Sequence, residues 1–355
     1  MTPGGPIKVL VVDDSAVVRK LLGDALRQAP GIEVVGGASD PFAARDLILR
    51  YEPDVLTLDI EMPRMDGLSF LARIMQHRPM PVIIVSSLTQ QGSAASVEAL
   101  RLGAIDVIAK PGGPGSVGEV ADKIVRRITM LRHAPVHFQK ANPAAAAPPP
   151  AAVPGTRRRR LARSLVLIGA STGGTQAIEA VLTRLPPDMP PVLIVQHMPP
   201  VFTKSFAERL DRCTPLQVAE ARGGEPLQPG HVYVAPGDYH MVLERNGLQL
   251  TIGLTSGAPV HYQRPAVDVL FKSAALLRDV PMVAAVLTGM GSDGARGLLA
   301  LRQAGAETIA EDEQSCVVFG MPKEAIALGA ATHVSTLLRM PATLLECLDR
   351  LAMAA

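Results

Sequence analysis

The sequence predicts two α/β domains, each built around a parallel β-sheet and joined by a linker. Its 355 residues suffice for about two domains of roughly 150 residues each. Short apolar runs rich in β-branched residues alternate with helix-like segments on both sides of a stretch rich in Pro, Ala and Arg. This alternation is typical of parallel sheets covered by helices, in which ligands bind at the carboxyl ends of the strands.

The composition excludes several classes of protein. Lys and Arg number 35 and Asp and Glu number 33, so net charge gives no reason to expect nucleic acid or an anionic membrane as a partner. The apolar runs are too short to span a bilayer and the first eight residues do not form a signal peptide, so we expect a cytoplasmic protein. The cysteines Cys213, Cys316 and Cys347 are widely spaced, which favours buried thiols over disulfides or a zinc site.

Five strands are predicted before the linker, and polar residues follow four of them. The strands are residues 7–12, 32–36, 55–58, 82–85 and 105–109. Asp13 and Asp14 follow the first strand, Asp59 the third, Ser86 and Ser87 the fourth, and Lys110 the fifth. Because the carboxyl ends of parallel strands meet at one edge of a sheet, we expect these side chains to converge.

The predicted cluster has the chemistry of a phosphorylation site. Carboxylates held close together repel one another, and oxygen ligands suit a hard cation such as Mg²⁺. An ionised Asp59 beside that cation would attack a phosphoryl group, while Lys110 and a serine hydroxyl offset charge on its oxygens. Each acid taken singly is more often a helix cap or loop residue. Polar residues at four strand ends together favour the phosphorylation site.

Residues 7 to about 130 resemble a two-component receiver domain. The resemblance depends on VVDDS at Asp13 and Asp14, LDIEMPRMDG around Asp59, SS at Ser86 and AKP at Lys110. It implies a flavodoxin-like fold over residues 6–130, with a five-stranded parallel sheet. It also implies that a chemotaxis histidine kinase is the phosphodonor for Asp59, with Ser86 and Lys110 in the phosphate pocket.

The same resemblance implies a set of Mg²⁺ ligands. Asp14, Asp59 and the backbone carbonyl of Glu61 would hold the ion, and Asp13 would support its waters. Val107 departs from the family pattern, because receivers often carry an aromatic switch residue two to three positions before the lysine. We therefore do not expect coupling through an aromatic rotamer.

Residues 131–163 are predicted to be a linker. They contain NPAAAAPPPAAVPG followed by TRRRRLAR, which cannot bury enough apolar surface to fold alone. The cluster Arg157 to Arg160 is equally compatible with docking on an acidic surface and with solvated linker charge, so it has no assigned role.

The second domain opens with a predicted nucleophile. The segment SLVLIGASTGG leads an apolar strand into Ser171, and GASTG fits the G-x-S-x-G elbow that holds a hydroxyl clear of its neighbours. A serine needs a base and the base needs an orienting acid. His197 directly follows the predicted strand 192–196, and Asp293 lies in the glycine-rich loop after strand 283–287. His240 is a second candidate for the base.

Each triad residue also has a plainer structural interpretation, and two other functions are conceivable for a domain of this kind. A strand-end histidine is most often a loop residue, and Asp293 would cap a helix beginning near Ala295. A DNA-binding module would need a basic recognition helix, which this domain of nearly 190 residues lacks. A nucleotide site is disfavoured because GASTGG is not G-x-G-x-x-G and no Walker lysine follows. Three strand ends that supply Ser, His and Asp favour a serine hydrolase. The three residues occur in the chain order Ser, His, Asp, which differs from the Ser, Asp, His order of ordinary α/β-hydrolases.

Residues from about 165 to 351 resemble the catalytic domain of chemotaxis protein-glutamate methylesterases, which are also protein-glutamine glutaminases. The resemblance depends on IGASTGG at Ser171, VQHMP at His197, PAVDVLF at Asp268 and LTGMGSDG at Asp293. It implies a doubly wound, mostly parallel α/β domain over residues 164–355, with Ser171, His197 and Asp293 as nucleophile, base and orienting acid.

The resemblance also implies the surroundings and partners of that site. Thr172 and Met290 would line it, with Met290 as a backbone oxyanion donor, and the catalytic domain would need no cofactor. The substrates would be methyl-accepting chemotaxis receptors, and contact with membranes would occur only through them. We expect a monomer that binds no nucleic acid and whose esterase rate rises when Asp59 is phosphorylated.

Overall fold

A computed structural model describes residues 5–62, 65–87, 89–110, 117–131, 164–247 and 249–354. The chain divides into two compact units, Met1–Phe138 and Gln139–Ala355. The predicted linker, with its arginine cluster, lies outside the described residues apart from Leu131, the last residue of a helix. No helix in the described ranges is long and apolar enough to cross a bilayer.

The N-terminal unit contains one five-stranded parallel sheet in the order β2-β1-β3-β4-β5. Its strands are β1 Ile7–Val12, β2 Ile32–Ala38, β3 Val55–Leu58, β4 Val82–Ser86 and β5 Asp106–Ala109. The helices between and after them are α1 Ala16–Arg27, α2 Pro41–Tyr51, α3 Gly67–His77, α4 Gln90–Arg101 and α5 Val117–Leu131. This is the predicted flavodoxin-like arrangement, with β1, β3, β4 and β5 ending at one edge.

Short polar side chains begin the first four helices. Each accepts a hydrogen bond from a backbone N–H of the first turn, the contact that stabilises a helix start. The caps are Ser15, Asp40, Asp66 and Thr89. None of these caps is one of the three aspartates of the predicted phosphorylation site, so the helix-cap interpretation of those aspartates does not hold for α1 to α4.

The C-terminal unit contains a seven-stranded parallel sheet in the order β14-β13-β12-β6-β7-β9-β8 and a separate antiparallel hairpin of β10 and β11. The strands are β6 Leu165–Ala170, β7 Val192–Gln196, β8 Gln217–Glu220, β9 His231–Val234, β10 His240–Asn246, β11 Gln249–Thr255, β12 Met282–Val286, β13 Glu307–Glu311 and β14 His333–Ser335. The helices are α6 Gly174–Leu182, α7 Phe202–Cys213, α8 Val267–Ala275, α9 Ala295–Gln303, α10 Met321–Ala327 and α11 Met340–Ala354. The doubly wound prediction is confirmed.

The strand order of this sheet places a crevice at the end of β6. The chain proceeds from β6 to β7 on one side, whereas β12 pairs with β6 on the other side. In open α/β sheets such a reversal of strand order leaves a crevice outside the carboxyl ends, where ligands bind. Ser171, His197 and the loop after β12 are therefore all at the edge where a site is expected.

One prediction about packing is wrong. Cys316 and Cys347 are buried as expected, but Cys213 is exposed. Cys213 is the last residue of α7, whose buried side is formed by Phe202, Phe206 and Leu210. Cys213 follows Leu210 at helical spacing, but the helix ends at this residue, and its position at the terminus of α7 leaves it exposed.

Candidate functional sites

Ser171 is held by the backbone at the end of β6. Its N–H donates to the carbonyl of Thr288 at 3.0 Å, and its own carbonyl accepts from Gly174 N at 2.7 Å. Gly173 adopts a φ of 77°, a left-handed conformation that glycine adopts without strain, and α6 begins at the next residue. The tight strand-to-helix turn predicted from GASTG is thus present, with a helix N-terminus directly behind the serine.

His197 and Asp293 form a buried pair beside this turn. His197 Nε2 lies 2.7 Å from Asp293 Oδ2, and the two residues are 5% and 1% exposed. Ala170 pairs with Gln196 across β6 and β7, so Ser171 and His197 occupy equivalent positions at the ends of neighbouring strands. The structure brings all three predicted residues to one edge of the sheet.

The carboxylate of Asp293 is held by the N-terminus of α8, which precedes it in the chain, and not by α9, which follows it. Its Oδ2 accepts from Val267 N at 2.7 Å and its Oδ1 from Asp268 N at 2.9 Å, so the carboxylate caps the first turn of α8. Burial alone would raise the pKa of Asp293, but the hydrogen bond and charge of His197 and the two backbone donors outweigh it and lower that pKa. The alternative in which Asp293 caps α9 is wrong, because the cap residue of α9 is Gly294, with no side-chain cap.

The ionisation of Asp293 determines which nitrogen of His197 carries a proton. A carboxylate only accepts hydrogen bonds, so His197 Nε2 must donate to Asp293. In a neutral imidazole the other nitrogen then has a free lone pair. His197 Nδ1 is buried and has no hydrogen-bond partner within the described part of the chain. Nδ1 is therefore the atom available to take a proton.

His240, the second candidate for the base, is engaged elsewhere. Its Nδ1 accepts from Ala266 N and its Nε2 lies 3.1 Å from the carbonyl of Ala258. The residue is 2% exposed, and both ring nitrogens are used by backbone groups. His240 is a structural histidine that connects β10 to the segment preceding α8.

Thr172 and Met290 flank the nucleophile. Both are buried, at 3% and 4% exposure, and Thr172 Oγ1 has no hydrogen-bond partner among the described residues. Gly289 approaches Ser171 so closely that an added Cβ would lie 2.7 Å from Ser171 Cβ. The loop that carries Met290 therefore packs directly on the serine.

Three further side chains support the site and were missed by the sequence analysis. Gln196 Nε2 donates to the carbonyl of Ser171 at 2.8 Å. Thr288 Oγ1 donates to the carbonyl of Thr172 at 2.9 Å, and Glu311 Oε2 accepts from Thr288 N at 2.8 Å. Gln196 and Glu311 end buried strands and Thr288 lies two residues beyond one, so the strand-end criterion that selected Ser171 and His197 would also have selected them.

The predicted phosphorylation site is assembled in the N-terminal unit. One carboxylate oxygen from each of Asp13, Asp14 and Asp59 lies within 4.8 Å of the others. Lys110 Nζ lies 3.1 Å from Asp13 Oδ2 and 2.8 Å from Asp59 Oδ2. Asp13 and Asp59 are buried, while Asp14 is exposed.

The electrostatics of this cluster fit a divalent cation. Burial raises the pKa of Asp59 to about 6 against the opposing effect of Lys110, and burial also raises the pKa of Asp13. Three carboxylates facing one ammonium leave an excess of negative charge, and oxygen-only ligands suit Mg²⁺. A cation bound between the carboxylates would relieve the cost of ionising them, so the residues present fit the metal.

The remaining receiver residues surround Asp59. Glu61 N donates to Asp59 Oδ1 at 3.2 Å, and Ser86 Oγ is buried with no hydrogen-bond partner in the described ranges. Gly67 lies against the Asp59 loop, because an added Cβ would be 2.3 Å from the Asp59 carbonyl oxygen. Val107 is buried in β5, and its short aliphatic side chain provides no aromatic rotamer.

Comparisons with known proteins identify the families of both domains. Residues 166–344 match the CheB methylesterase family and residues 9–121 match the response regulator receiver domain. A protein-glutamate methylesterase/protein-glutamine glutaminase of Syntrophus aciditrophicus is 50% identical over 333 residues, which cover 92% of this chain and 95% of that protein. One of Pseudomonas aeruginosa is 50% identical over 343 residues, 96% of this chain and 97% of that protein.

A solved structure supports the same assignment. The crystal structure of the Thermotoga maritima CheB methylesterase catalytic domain aligns with a TM-score of 0.50 and 42% identity, covering 52% of this chain and 97% of that one. The chain belongs to the CheB methylesterase family, in the form that carries an N-terminal response regulator receiver domain.

Proposed function

We propose that this chain hydrolyses glutamate methyl esters on chemotaxis receptors, releasing methanol, and deamidates receptor glutamines at the same site. The observation that carries the proposal is the buried 2.7 Å contact between His197 Nε2 and Asp293 Oδ2, beside the turn that holds Ser171. The names of the relatives supply the substrate class. The catalytic domain would comprise residues 164–355, the receiver residues 6–130, and the linker residues 131–163.

The mechanism follows from the orientation of His197. As Ser171 Oγ attacks the γ-carbonyl carbon of the methylated glutamate, its proton passes to His197 Nδ1. Asp293 stabilises the resulting imidazolium through Nε2–H. Backbone N–H groups of Thr172 and Met290 would stabilise the tetrahedral oxyanion, a contribution of about 3–4 kcal/mol per donor in other hydrolases.

Collapse of this intermediate completes the first half of the reaction. The C–O bond to the methoxy group breaks, the imidazolium donates its proton to that oxygen, and methanol leaves. Water then attacks the acyl-enzyme, with His197 Nδ1 again as base, and releases glutamate and Ser171. With glutamine as substrate the C–N bond breaks and ammonia leaves, so one site serves both reactions.

Methanol release from methylated receptor membranes tests the nucleophile. We expect Ser171→Ala to abolish release, while Ser256→Ala, at an exposed serine in the loop after β11, leaves it unchanged. Near-normal release by Ser171→Ala would refute the assignment. Loss of release in both variants would indicate a general defect rather than loss of a nucleophile.

Phosphorylation of Asp59 is proposed to raise the esterase rate. Asp59 would accept the phosphoryl group from a histidine kinase, and Lys110 and Ser86 Oγ would contact its oxygens. Asp14, Asp59 and the Glu61 carbonyl would hold Mg²⁺, with Asp13 supporting its waters. When bound, Mg²⁺ neutralises charge on the transferring phosphoryl oxygens. Such a phosphodonor and substrate would place the enzyme in the cytoplasm.

The coupling is tested with Mg²⁺ and acetyl phosphate. We expect methanol release by the full chain to rise when both are present, and Asp59→Ala to remove the increase while retaining the basal rate. Asp54→Ala is a control on the same unit, because Asp54 is not part of the proposed phosphorylation site and its carboxylate accepts a hydrogen bond from Lys8 N. A rate of methanol release that does not change with acetyl phosphate would leave the esterase assignment intact and refute activation by phosphorylation of Asp59.

A further inference from the structure

Glu311 is a buried carboxyl group that the proposed mechanism does not use. It is the last residue of β13 and is 0% exposed. No Lys, Arg or His forms an ion pair with it in the described part of the chain. A buried acid without a cationic partner is costly and calls for an explanation.

The hydrogen bonds of Glu311 lead to the nucleophile. Its Oε2 accepts from Thr288 N at 2.8 Å. The carbonyl of Thr288 accepts from Ser171 N at 3.0 Å, and Thr288 Oγ1 donates to the carbonyl of Thr172 at 2.9 Å. Thr288 therefore joins Glu311 to the backbone of the serine and to that of the residue after it. The next residues, Gly289 and Met290, form the loop that packs on Ser171.

We propose, as an extension of the esterase function above, that Glu311 is a positioning residue that holds Thr288 and thereby fixes Ser171 and the loop of Met290. The proposal depends on geometry, because every step from Glu311 to Ser171 is a hydrogen bond between buried groups. A displacement of Thr288 would move the serine amide directly.

The protonation state of Glu311 determines the hydrogen bonds around its second oxygen, Oε1. Glu311 Oε1 lies 3.0 Å from Ser315 Oγ, and the same hydroxyl contacts Asp312 Oδ1. One hydroxyl proton cannot be donated to two carboxylates at once. When Glu311 is protonated, it donates to Ser315 Oγ, which donates in turn to Asp312. When Glu311 is ionised, it competes with Asp312 for that proton.

The groups around Glu311 favour the protonated form. Burial raises the pKa of Glu311 to about 7, and the charge of Asp312 adds to this. The titratable neighbours that face it are Asp312 and Cys316, both on the loop after β13. Thr288 after β12 and Ser335 on β14 are neutral. Ionisation places two like charges side by side that compete for the Ser315 hydroxyl, so this repulsion acts on the carboxyl group that holds Thr288, although Thr288 N–H still donates to Oε2.

Two substitutions of Glu311 give opposite expectations. Gln has the shape of the protonated acid: its oxygen can accept from Thr288 N and its amide can donate to Ser315 Oγ. We expect Glu311→Gln to match the wild-type kcat at pH 6 within threefold. Glu311→Ala leaves Thr288 N without its partner, and we expect kcat to fall at least tenfold at pH 6 with KM within twofold.

The decisive measurement is the ratio of kcat for Glu311→Gln to that of the wild-type chain from pH 6 to pH 8.5. The full chain and methylated receptor membranes are used throughout, so other titrating groups contribute equally to both proteins. We expect the ratio to rise at least threefold with a midpoint near pH 7, because only the wild-type chain ionises at this position. A ratio that does not change with pH would overturn the proposal.

A matched control separates positioning from general stability. Thr308 is also fully buried on β13, and its Oγ1 donates to the carbonyl of Ala330 at 2.7 Å, away from Ser171. We expect Thr308→Ala to lower the melting temperature but to leave kcat and its pH profile unchanged. An unchanged kcat in a folded Glu311→Ala variant would overturn the proposal. Absence of methanol release by the wild-type chain would instead refute the esterase function on which it rests.

Discussion

Replacing Asp293 with asparagine tests both the fold and the chemistry of the triad. Asp293 Oδ2 receives hydrogens from His197 Nε2 and Val267 N, each at 2.7 Å, and Oδ1 receives one from Asp268 N at 2.9 Å. Asparagine has one acceptor oxygen and one donor amide. If its oxygen takes the place of Oδ2, its amide faces Asp268 N–H. If the side chain is flipped, its amide faces Val267 N–H and His197 Nε2.

In either orientation, at least one backbone donor at the start of α8 loses its acceptor. A buried donor left unpaired costs about 1–3 kcal/mol, and hydrogen bonds to charged acceptors lie at the upper end. We therefore expect Asp293→Asn to lower the free energy of unfolding by about 2–3 kcal/mol. The imidazolium also loses its counter-charge, and the flipped orientation removes the lone pair from His197 Nδ1. Comparable substitutions in serine proteases lower kcat by about 10⁴, so we expect a loss of about 10² to 10⁴ here.

Calorimetric unfolding and methanol release from methylated receptor membranes measure the two effects. Asp279→Asn is the matched control, because Asp279 is an aspartate of the same unit whose ion pair with Arg245 lies on the surface. We expect the control to keep the wild-type rate and melting temperature. An Asp293→Asn variant that keeps wild-type stability and a kcat within threefold of wild type would refute the assigned hydrogen bonds and the role of the carboxylate.

Three further predictions follow from close contacts and burial. Gly289→Ala should lower kcat at least tenfold in the methanol assay, because its Cβ would lie 2.7 Å from Ser171 Cβ. Gly257→Ala, whose Cβ would make only ordinary contacts at 3.8 Å or more, should not. Gly67→Ala should reduce stimulation by acetyl phosphate but not the basal rate, because its Cβ would lie 2.3 Å from the Asp59 carbonyl; unaltered stimulation would contradict this. Folding raises the pKa of the Glu311 carboxyl from 4.5 to about 7, so its contribution to the free energy of unfolding is fully present below pH 4.5 and is lost as pH rises through about 7. Calorimetry should show a loss of up to about 3 kcal/mol in the wild-type chain that Glu311→Gln abolishes. Parallel stability curves for the two proteins would refute this prediction.

The sequence predicts the parts of both sites that follow from strand periodicity. Strands 7–12, 55–58 and 192–196 match the structure at both ends, and the others differ by one or two residues. Because parallel strands end at a common edge, the residues after them could be grouped without knowledge of the packing. Ser171, His197 and Asp59 were identified in this way.

Contacts between distant segments could not be predicted in the same manner. Asp293 caps a helix that begins 26 residues earlier in the chain, and no local pattern connects the two. The tautomer of His197 depends on that contact, so the identity of the basic nitrogen required the structure. Glu311 ends β13 in the same way that Gln196 ends β7, so its position at a strand end could have drawn attention to it, but its contact with Thr288 required the structure.

The contacts of Asp293 explain how this fold retains a charged carboxylate that is 1% exposed. Such a charge would be strongly disfavoured without compensation, and the N-terminus of α8 supplies two N–H donors and the positive end of a helix dipole. These interactions are present before substrate binds, so the carboxylate is ionised and its orientation fixed in the resting enzyme. Catalysis then requires no reorganisation of Asp293, because the helix that stabilises its charge also directs Oδ2 at His197. The stability of the C-terminal unit and the orientation of His197 therefore depend on the same carboxylate, and a substitution at Asp293 must affect both.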